Sequence, residues 1–198
     1  MEIVLASTNL HKIRELREML KHLTHLELLS LHSFPQMNDV EETGSSFQEN
    51  AILKAEITAK QLNKWVLADD SGLVVPALNG EPGIYSRRYA GLTATDAENR
   101  QKLLNSMQGL SEFERSAYYE CCLALASPEG LKKCVTGICE GYILTKERGR
   151  HGFGYDALFI KYDYEKTFAE LDETTKNRVS HRRKAFERLV NFLEALKN

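Results

Sequence analysis

Two long β-like runs separated by four turn residues constrain this chain of 198 residues more than any other feature. Ser116 to Ala126 and Leu131 to Leu144 are rich in β-branched, aromatic and sulfur-bearing residues, and Ser127-Pro128-Glu129-Gly130 between them is a turn sequence. A hairpin of that length predicts a wide sheet. The residues before it follow another pattern. Ile3 to Ala6 reads as a strand, the next helix carries Ile13, Leu16, Leu20 and Leu23 on one face, and Leu26 to Leu31 reads as a second strand. Strand and helix alternating first, with a hairpin later, predict an α/β fold: a mixed sheet flanked by helices.

Further punctuation fills in the order. Ser33 to Ser45 is polar, holds Pro35, Gly44 and the acidic cluster Asp39, Glu41 and Glu42, and reads as a loop. Ser46-Phe47-Gln48-Glu49 has the capping-box pattern and opens a helix to about Leu62, with Phe47, Ala51, Ala55 and Ala59 along one stripe. Trp65 to Ala68 is a short apolar run, closed by Asp69-Asp70 and by a tight turn at Ser71-Gly72. Leu73 to Leu78 forms another strand, Asn79-Gly80 a type I′ turn, and Thr95 to Met107 a helix that stops at Gly109. Ala157 to Ile160 is a short strand. Val179 to Leu196 is a closing helix, with Phe186, Leu189, Leu193 and Leu196 inward.

Composition removes several function classes. Hydrophobic content of 42% with 27% charged residues describes a globular chain with a real core. A net charge of -2 opposes a dedicated nucleic-acid binder, yet leaves room for a local basic pocket holding an anion. The four cysteines include no C-x-x-C pair, which argues against zinc. No basic leader opens the chain and no segment approaches about 18 apolar residues, so a cytoplasmic protein without a membrane span is expected.

Several segments can carry chemistry. Neighbouring side chains on a strand point to opposite faces, so Asp69 and Asp70 need two different roles. Ser7-Thr8-Asn9-Leu10-His11-Lys12 joins a strand to a helix, where free N–H groups and the helix dipole attract an anion and Lys12 adds a charge. Taken alone, a capping turn with a solvated lysine explains it better. Asn50 and Lys54 share a helix face, and Lys54 there is one candidate for a phosphate, although most helix lysines are solvated surface charges. Glu41 and Glu42 lie where a carboxylate could reach Mg²⁺ together with Asp70, since hard cations take oxygen ligands. Gly152-Phe153-Gly154-Tyr155-Asp156 holds aromatics between glycines, and such a ring can stack on a base. Lys176 to Lys184 is a basic run at a helix start, with Ser180 as its cap, an arrangement that favours an anionic or electron-rich ligand.

Together these segments resemble the inosine triphosphate pyrophosphatase family over nearly the whole chain. The blocks are Ser7-Thr8-Asn9 with Lys12, Glu42-Thr43-Gly44 with Glu49-Asn50-Ala51 and Lys54-Ala55, Asp69-Asp70-Ser71-Gly72-Leu73, Pro82-Gly83-Ile84-Tyr85-Ser86, Gly152 to Asp156, and Ser180-His181-Arg182. The resemblance implies one nucleoside triphosphate pyrophosphatase domain over residues 1–198, with an elongated mixed sheet in two lobes around a central nucleotide-binding cleft, usually as a homodimer. It implies Mg²⁺-dependent hydrolysis of ITP, dITP and XTP to the monophosphate and pyrophosphate, which clears these nucleotides before they enter DNA or RNA.

By the same resemblance Asp70 is the catalytic base or the ligand that positions the attacking water, with Glu42 its preferred metal partner and Glu41 the alternative. Lys12 and Lys54 neutralise the triphosphate, and Asp69 orients the strand end. Ser7, Thr8, Asn9, Leu10 and His11 line the phosphate turn. Phe153 stacks on the base, Ser71, Gly154, Tyr155, Asp156 and Lys176 contact the nucleotide, and His181 and Arg182 present donors to the 6-oxo edge. Two rivals are a septum-formation type pyrophosphatase, which the Ser180-His181-Arg182 block opposes, and a silent nucleic-acid binder using Lys176 to Lys184. Asp69-Asp70-Ser71 lacks the D-x-D-x-T spacing of a haloacid-dehalogenase phosphatase.

Overall fold

The computed structural model describes residues 1–37 and 40–196, so Asp39 of the predicted acidic cluster lies outside the described residues. Six strands form one sheet: β1 (Glu2–Leu5), β2 (Glu27–Ser30), β3 (Trp65–Val74), β4 (Ser116–Ser127), β5 (Gly130–Ile143) and β6 (Phe159–Lys161). Their order is β2-β1-β3-β4-β5-β6. β1 pairs in parallel with both β2 and β3, while β5 and β6 run antiparallel, so the sheet is mixed as the sequence predicts. Among the described residues five α-helices accompany it: α1 (Leu10–Leu20), α2 (Phe47–Leu62), α3 (Asp96–Ser106), α4 (Glu173–Val179) and α5 (His181–Ala195).

The chain divides into two compact units. The first comprises Met1–Asp70, Cys121–Gly137 and Arg182–Asn198, the second Ser71–Glu120 and Ile138–His181. In the first, Ile3 and Leu5 of β1, Leu67 of β3, and Leu123 and Leu125 of β4 pack with Ile13, Leu16 and Leu20 of α1 and Phe186, Leu189 and Leu193 of α5. Those helical positions recur at three- and four-residue spacing, which gathers them on one face. In the second, Leu73, Leu103, Met107, Tyr119, Ile143, Phe159 and Phe168 form a separate, more aromatic core.

Local signals explain most boundaries. Ser46 caps α2 by accepting from Glu49 N, but the Glu49 carboxylate accepts from the amide and hydroxyl of Ser45, so the return half of the predicted capping box shifts by one residue. Thr95 and Glu98 form the complete reciprocal box on α3. Phe47, Ala51, Ala55 and Ala59 are buried along α2 as the stripe requires. At Asn79-Gly80 both residues have positive φ and Glu81 N donates to Leu78 O at 3.1 Å, the predicted type I′ geometry.

Three expectations are corrected. β3 does not stop at Ser71-Gly72; it runs unbroken to Val74, and Leu73 to Leu78 is no separate strand, because Pro76–Leu78 winds into a 3-10 turn. Both aspartates find cationic partners while the backbone stays extended, so no turn is needed to release them. The short strand begins at Phe159, since Ala157 and Leu158 remain in the preceding turn. Finally, the closing helix starts at His181, because Val179 ends a separate short helix, α4. Ser180 is extended (φ -70°, ψ 161°) between α4 and α5, and Lys176 and Arg178 occupy the last turn of α4, where the dipole favours cations. The conflict read into the basic run therefore applies only from His181 onward.

Candidate active site

The first unit presents two ion-pair groups built on Asp69 and Asp70, whose side chains take opposite partners as strand alternation requires. Asp69 receives Lys12 Nζ at 2.5 Å and Arg182 Nε at 2.7 Å, and Arg182 also pairs with Glu15. Cys121 Sγ donates to Asp69 Oδ2 at 3.1 Å. Asp69 is fully buried. Burial opposes its charge, but Arg182 and Lys12 outweigh that and hold its pKa well below the ordinary carboxylate value.

Asp70 belongs to the other group. Lys54 Nζ lies 2.8 Å from Asp70 Oδ1, 3.1 Å from Glu42 Oε1 and 2.9 Å from the Asp69 carbonyl oxygen. One ammonium thus faces two carboxylates. Burial pushes the Asp70 pKa up and Glu42 adds to the rise, against the pull of Lys54 and Lys12. For Lys54, burial works against the charge, but Asp70 and Glu42 prevail and raise its pKa. The α2 helix supplies Lys54, and the loop before it supplies Glu42. That loop is drawn in by Asn50 Oδ1, which accepts from Gly44 N at 2.8 Å; a Cβ at Gly44 would stand 2.7 Å from the same oxygen, so only glycine fits.

Glu41 is exposed and Glu42 half-buried beside Lys54, so the structure joins Glu42, and not Glu41, to Asp70. Among the described residues no cluster of three or more His, Cys, Asp or Glu could hold a metal by itself. Asp70 and Glu42 supply two carboxylates around one ammonium, an oxygen pair that could hold a hard divalent cation only with further oxygen ligands from elsewhere. In the turn before α1, Asn9 Oδ1 accepts from His11 N and Lys12 N, and Ser7 Oγ accepts from Asn9 N at 3.1 Å. This is the predicted capping turn. Thr8, Leu10 and His11 are exposed on it, Leu10 at 69%.

The second unit gathers Phe153, Asp156, Lys176 and His181. Asp156 Oδ2 accepts from Lys176 Nζ at 2.7 Å and from Phe153 N at 2.9 Å, and Lys176 Nζ stands 4.6 Å from the Phe153 ring centre. Gly152 has φ +76°, and a Cβ there would approach Asp156 Oδ2 to 2.1 Å, which reserves the position for glycine. Gly154 N donates to Asp96 at 2.7 Å and Gly154 O accepts from Arg100 at 3.0 Å. Tyr155 turns inward, its hydroxyl donating to Ser86 O at 2.9 Å. Tyr155 therefore anchors the loop from the core, with its ring buried. Ser71, half-buried on β3, is the first residue of this unit.

His181 and Arg182, expected to act together, are divided. His181 lies with the second unit and stacks on Tyr119, whereas the Arg182 guanidinium is buried in the first and engaged by Asp69 and Glu15. Sequence reading missed Glu15, Cys121 and Tyr119. Glu15 follows Lys12 by three residues on α1, which places it on the same face and was a readable signal. Tyr119 and Cys121 are two apart on β4, where the alternation that marks one face gives way to continuous burial after Glu120.

A mixed α/β sheet with a buried lysine-carboxylate group and a separate aromatic-glycine loop defines a small-molecule enzyme of the anion-handling kind. The chain belongs to the Ham1 family, whose model matches residues 3–192. It is 68% identical to a dITP/XTP pyrophosphatase of Protochlamydia amoebophila, over 100% of both chains, and 48% identical to a protein of that name from Bacillus anthracis, over 95% of this chain and 94% of the other. Among solved structures it resembles the Staphylococcus aureus Ham1 protein (TM-score 0.89, 44% identity, 100% of both chains) and a HAM1 protein from Coxiella burnetii (TM-score 0.89, 44% identity, 98% of both).

Proposed function

We propose that this protein hydrolyses deaminated purine nucleoside triphosphates (dITP, ITP and XTP) to the monophosphate and pyrophosphate, and so cleanses the nucleotide pool. The observation that carries the chemistry is the Lys54 ammonium held between Asp70 and Glu42. Full-length identity to dITP/XTP pyrophosphatases supports the substrate class.

The residues act as follows under this reading. Asp70 positions the attacking water and accepts its proton as the new P–O bond forms and the P–O bond to the bridging anhydride oxygen breaks. An aspartate with a raised pKa is a better base than an ordinary one, provided it remains ionised at working pH. Lys54 and Lys12 neutralise phosphate charge, which is the main demand of phosphoryl transfer. Glu42 and Asp70 are the residues to hold Mg²⁺, which when bound would supply further charge neutralisation on the triphosphate. The turn Ser7–His11 would receive phosphate oxygens. Asp69 serves as a buried anchor for Lys12 and Arg182. At the base end, Phe153 stacks, Asp156 and Lys176 fix its loop, Ser71 and Gly154 contribute contacts, and His181 donates to the 6-oxo group, which adenine lacks.

The basic run does not favour a nucleic-acid partner. Lys176 pairs with Asp156, Arg182 with Asp69 and Glu15, and Arg183 with Glu187. No helix among the described residues is long and apolar enough to cross a membrane. A homodimer in the cytoplasm completes the proposal, as the resemblance implies. A nucleotide panel tests it: with Mg²⁺, ITP, dITP and XTP should give monophosphate and pyrophosphate far faster than ATP or GTP, and chelation should stop turnover. Orthophosphate as the direct product, or equal rates with ATP, would overturn it.

A further inference from the structure

Tyr119 has no part in the chemistry described so far, yet it touches two residues of the base-end group. It is buried on β4, and the His181 imidazole lies almost parallel to its ring, with centroids 4.7 Å apart and an interplanar angle of 11°. Its hydroxyl donates to Asp156 Oδ1 at 3.4 Å, on the carboxylate that also holds Lys176 and the Phe153 amide. Phe159 and Phe168 pack the phenol, Phe159 edge-on at 4.8 Å and Phe168 parallel at 5.9 Å. Burial and the Asp156 carboxylate push the Tyr119 pKa far up, so the phenol stays neutral.

These contacts address a problem of orientation. An imidazole is joined to its backbone through two rotatable bonds, and the second rotates broadly unless something restrains it. A donor that reads one oxygen of a base must be fixed in plane and direction, and buried aromatic rings in parallel contact provide that restraint. We propose that Tyr119 is a specificity-determining positioning residue: its ring sets the plane of His181 so that the imidazole aims at the base edge. This rests on the reading of His181 as the base-edge donor. Discrimination then depends on a residue that need not touch the nucleotide.

The test is a double-mutant cycle read as the ratio of kcat/KM for ITP to that for ATP. His181→Ala should lower the ratio, Tyr119→Leu should lower it about tenfold, and the double variant should fall no further than His181→Ala alone within about twofold. Tyr119→Phe keeps the ring and should hold the ratio within about twofold. A structural defect would depress both substrates alike and leave the ratio unmoved. If His181→Ala leaves the ratio unchanged, the base-end reading fails and takes the proposal with it. If His181→Ala lowers it but Tyr119→Leu does not, or if the two effects multiply independently, only the positioning role is overturned. Should Tyr119→Leu not fold, the wild-type protein and Tyr119→Phe still decide by NMR: an upfield ring-current shift of the His181 ring protons in both supports the stack, and shifts matching the exposed histidines overturn it.

Discussion

The two units solve opposite problems with the same few residue types. In the first, Lys12, Lys54, Asp69, Asp70, Glu15, Glu42 and Arg182 form a dense set of partly buried charges in which each ion faces another. In the second, a single pair, Lys176 with Asp156, sits among Phe153, Phe168, Tyr119 and His181. The first arrangement suits a ligand that brings charge, the second a ligand that brings a flat ring with a few polar edges. Within the first unit the aspartates differ again: Asp69 is fully compensated and fixed, while Asp70 shares one ammonium with Glu42 and has its pKa raised.

That contrast is most sharply broken at the aspartates. Asp70→Asn should lower kcat with ITP by about a hundred- to ten-thousandfold while ITP binding, followed by calorimetry, survives. Near-normal turnover would move the base elsewhere. Asp69→Ala should instead act on folding. It leaves Arg182 and Lys12 without their central carboxylate, and breaking a buried pair in this way costs roughly 3–5 kcal/mol, read as a lower denaturant midpoint. An Asp69→Ala protein as stable as wild type would show the network to be dispensable.

How much of this was legible in the sequence follows from the range of each signal. The hairpin of β4 and β5, the α2 stripe and the turn at Asn79-Gly80 rest on local periodicity and backbone preference, and they stand where the sequence puts them. That Asp69 and Asp70 take different partners followed from the pleat alone. Glu42 was preferred over Glu41 by resemblance, and its place beside Lys54 depends on a contact no local pattern reports, the Gly44 amide donating to Asn50 Oδ1. Ser180 was read as a cap, but the short α4 before it carries too few residues for a periodic signal. The commitment of Arg182 to Asp69 joins residues 113 apart in sequence, and no local rule reports such a pairing. Tyr119 was hidden for a related reason: an aromatic on a buried strand looks like core, and it is core, with one face turned to His181.

Opposite pKa directions at neighbouring aspartates give a finer test. Asp69 is depressed, so its contribution to stability is present above its unfolded pKa of about 3.9 and is lost as pH falls through the lower folded value. Asp70 is raised, so its burial favours the protonated folded form, and stability declines as pH climbs from about 3.9 through the raised value. If the ionised Asp70 is the base, activity must rise across that same interval, and the acid limb of the kcat/KM profile, which reports the free enzyme, should lie above about 3.9. Lys54→Met removes the cation that lowers the Asp70 pKa, so the limb should move to higher pH along with the loss of rate. A limb that stays in place would separate Asp70 from the ionisation that controls turnover.

The smallest effect belongs to the second unit, where the loop carrying Phe153 is held from below by Tyr155. Its hydroxyl donates to Ser86 O, and Ser86 Oγ in turn accepts from Leu73 N at 2.9 Å, so one chain of hydrogen bonds ties the aromatic loop to the end of β3. Tyr155→Phe deletes one neutral hydrogen bond and leaves the buried ring in place, with an expected cost of about 1 kcal/mol in stability. Because no charge is involved, this loss should be independent of pH between 5 and 8, in contrast to the aspartate variants. The loop should also loosen, seen as a several-fold rise in KM for ITP with kcat nearly unchanged. A fall in kcat at constant KM would mean that the loop acts on the reacting end of the substrate, and the division of labour between charged and aromatic units would then have to be redrawn.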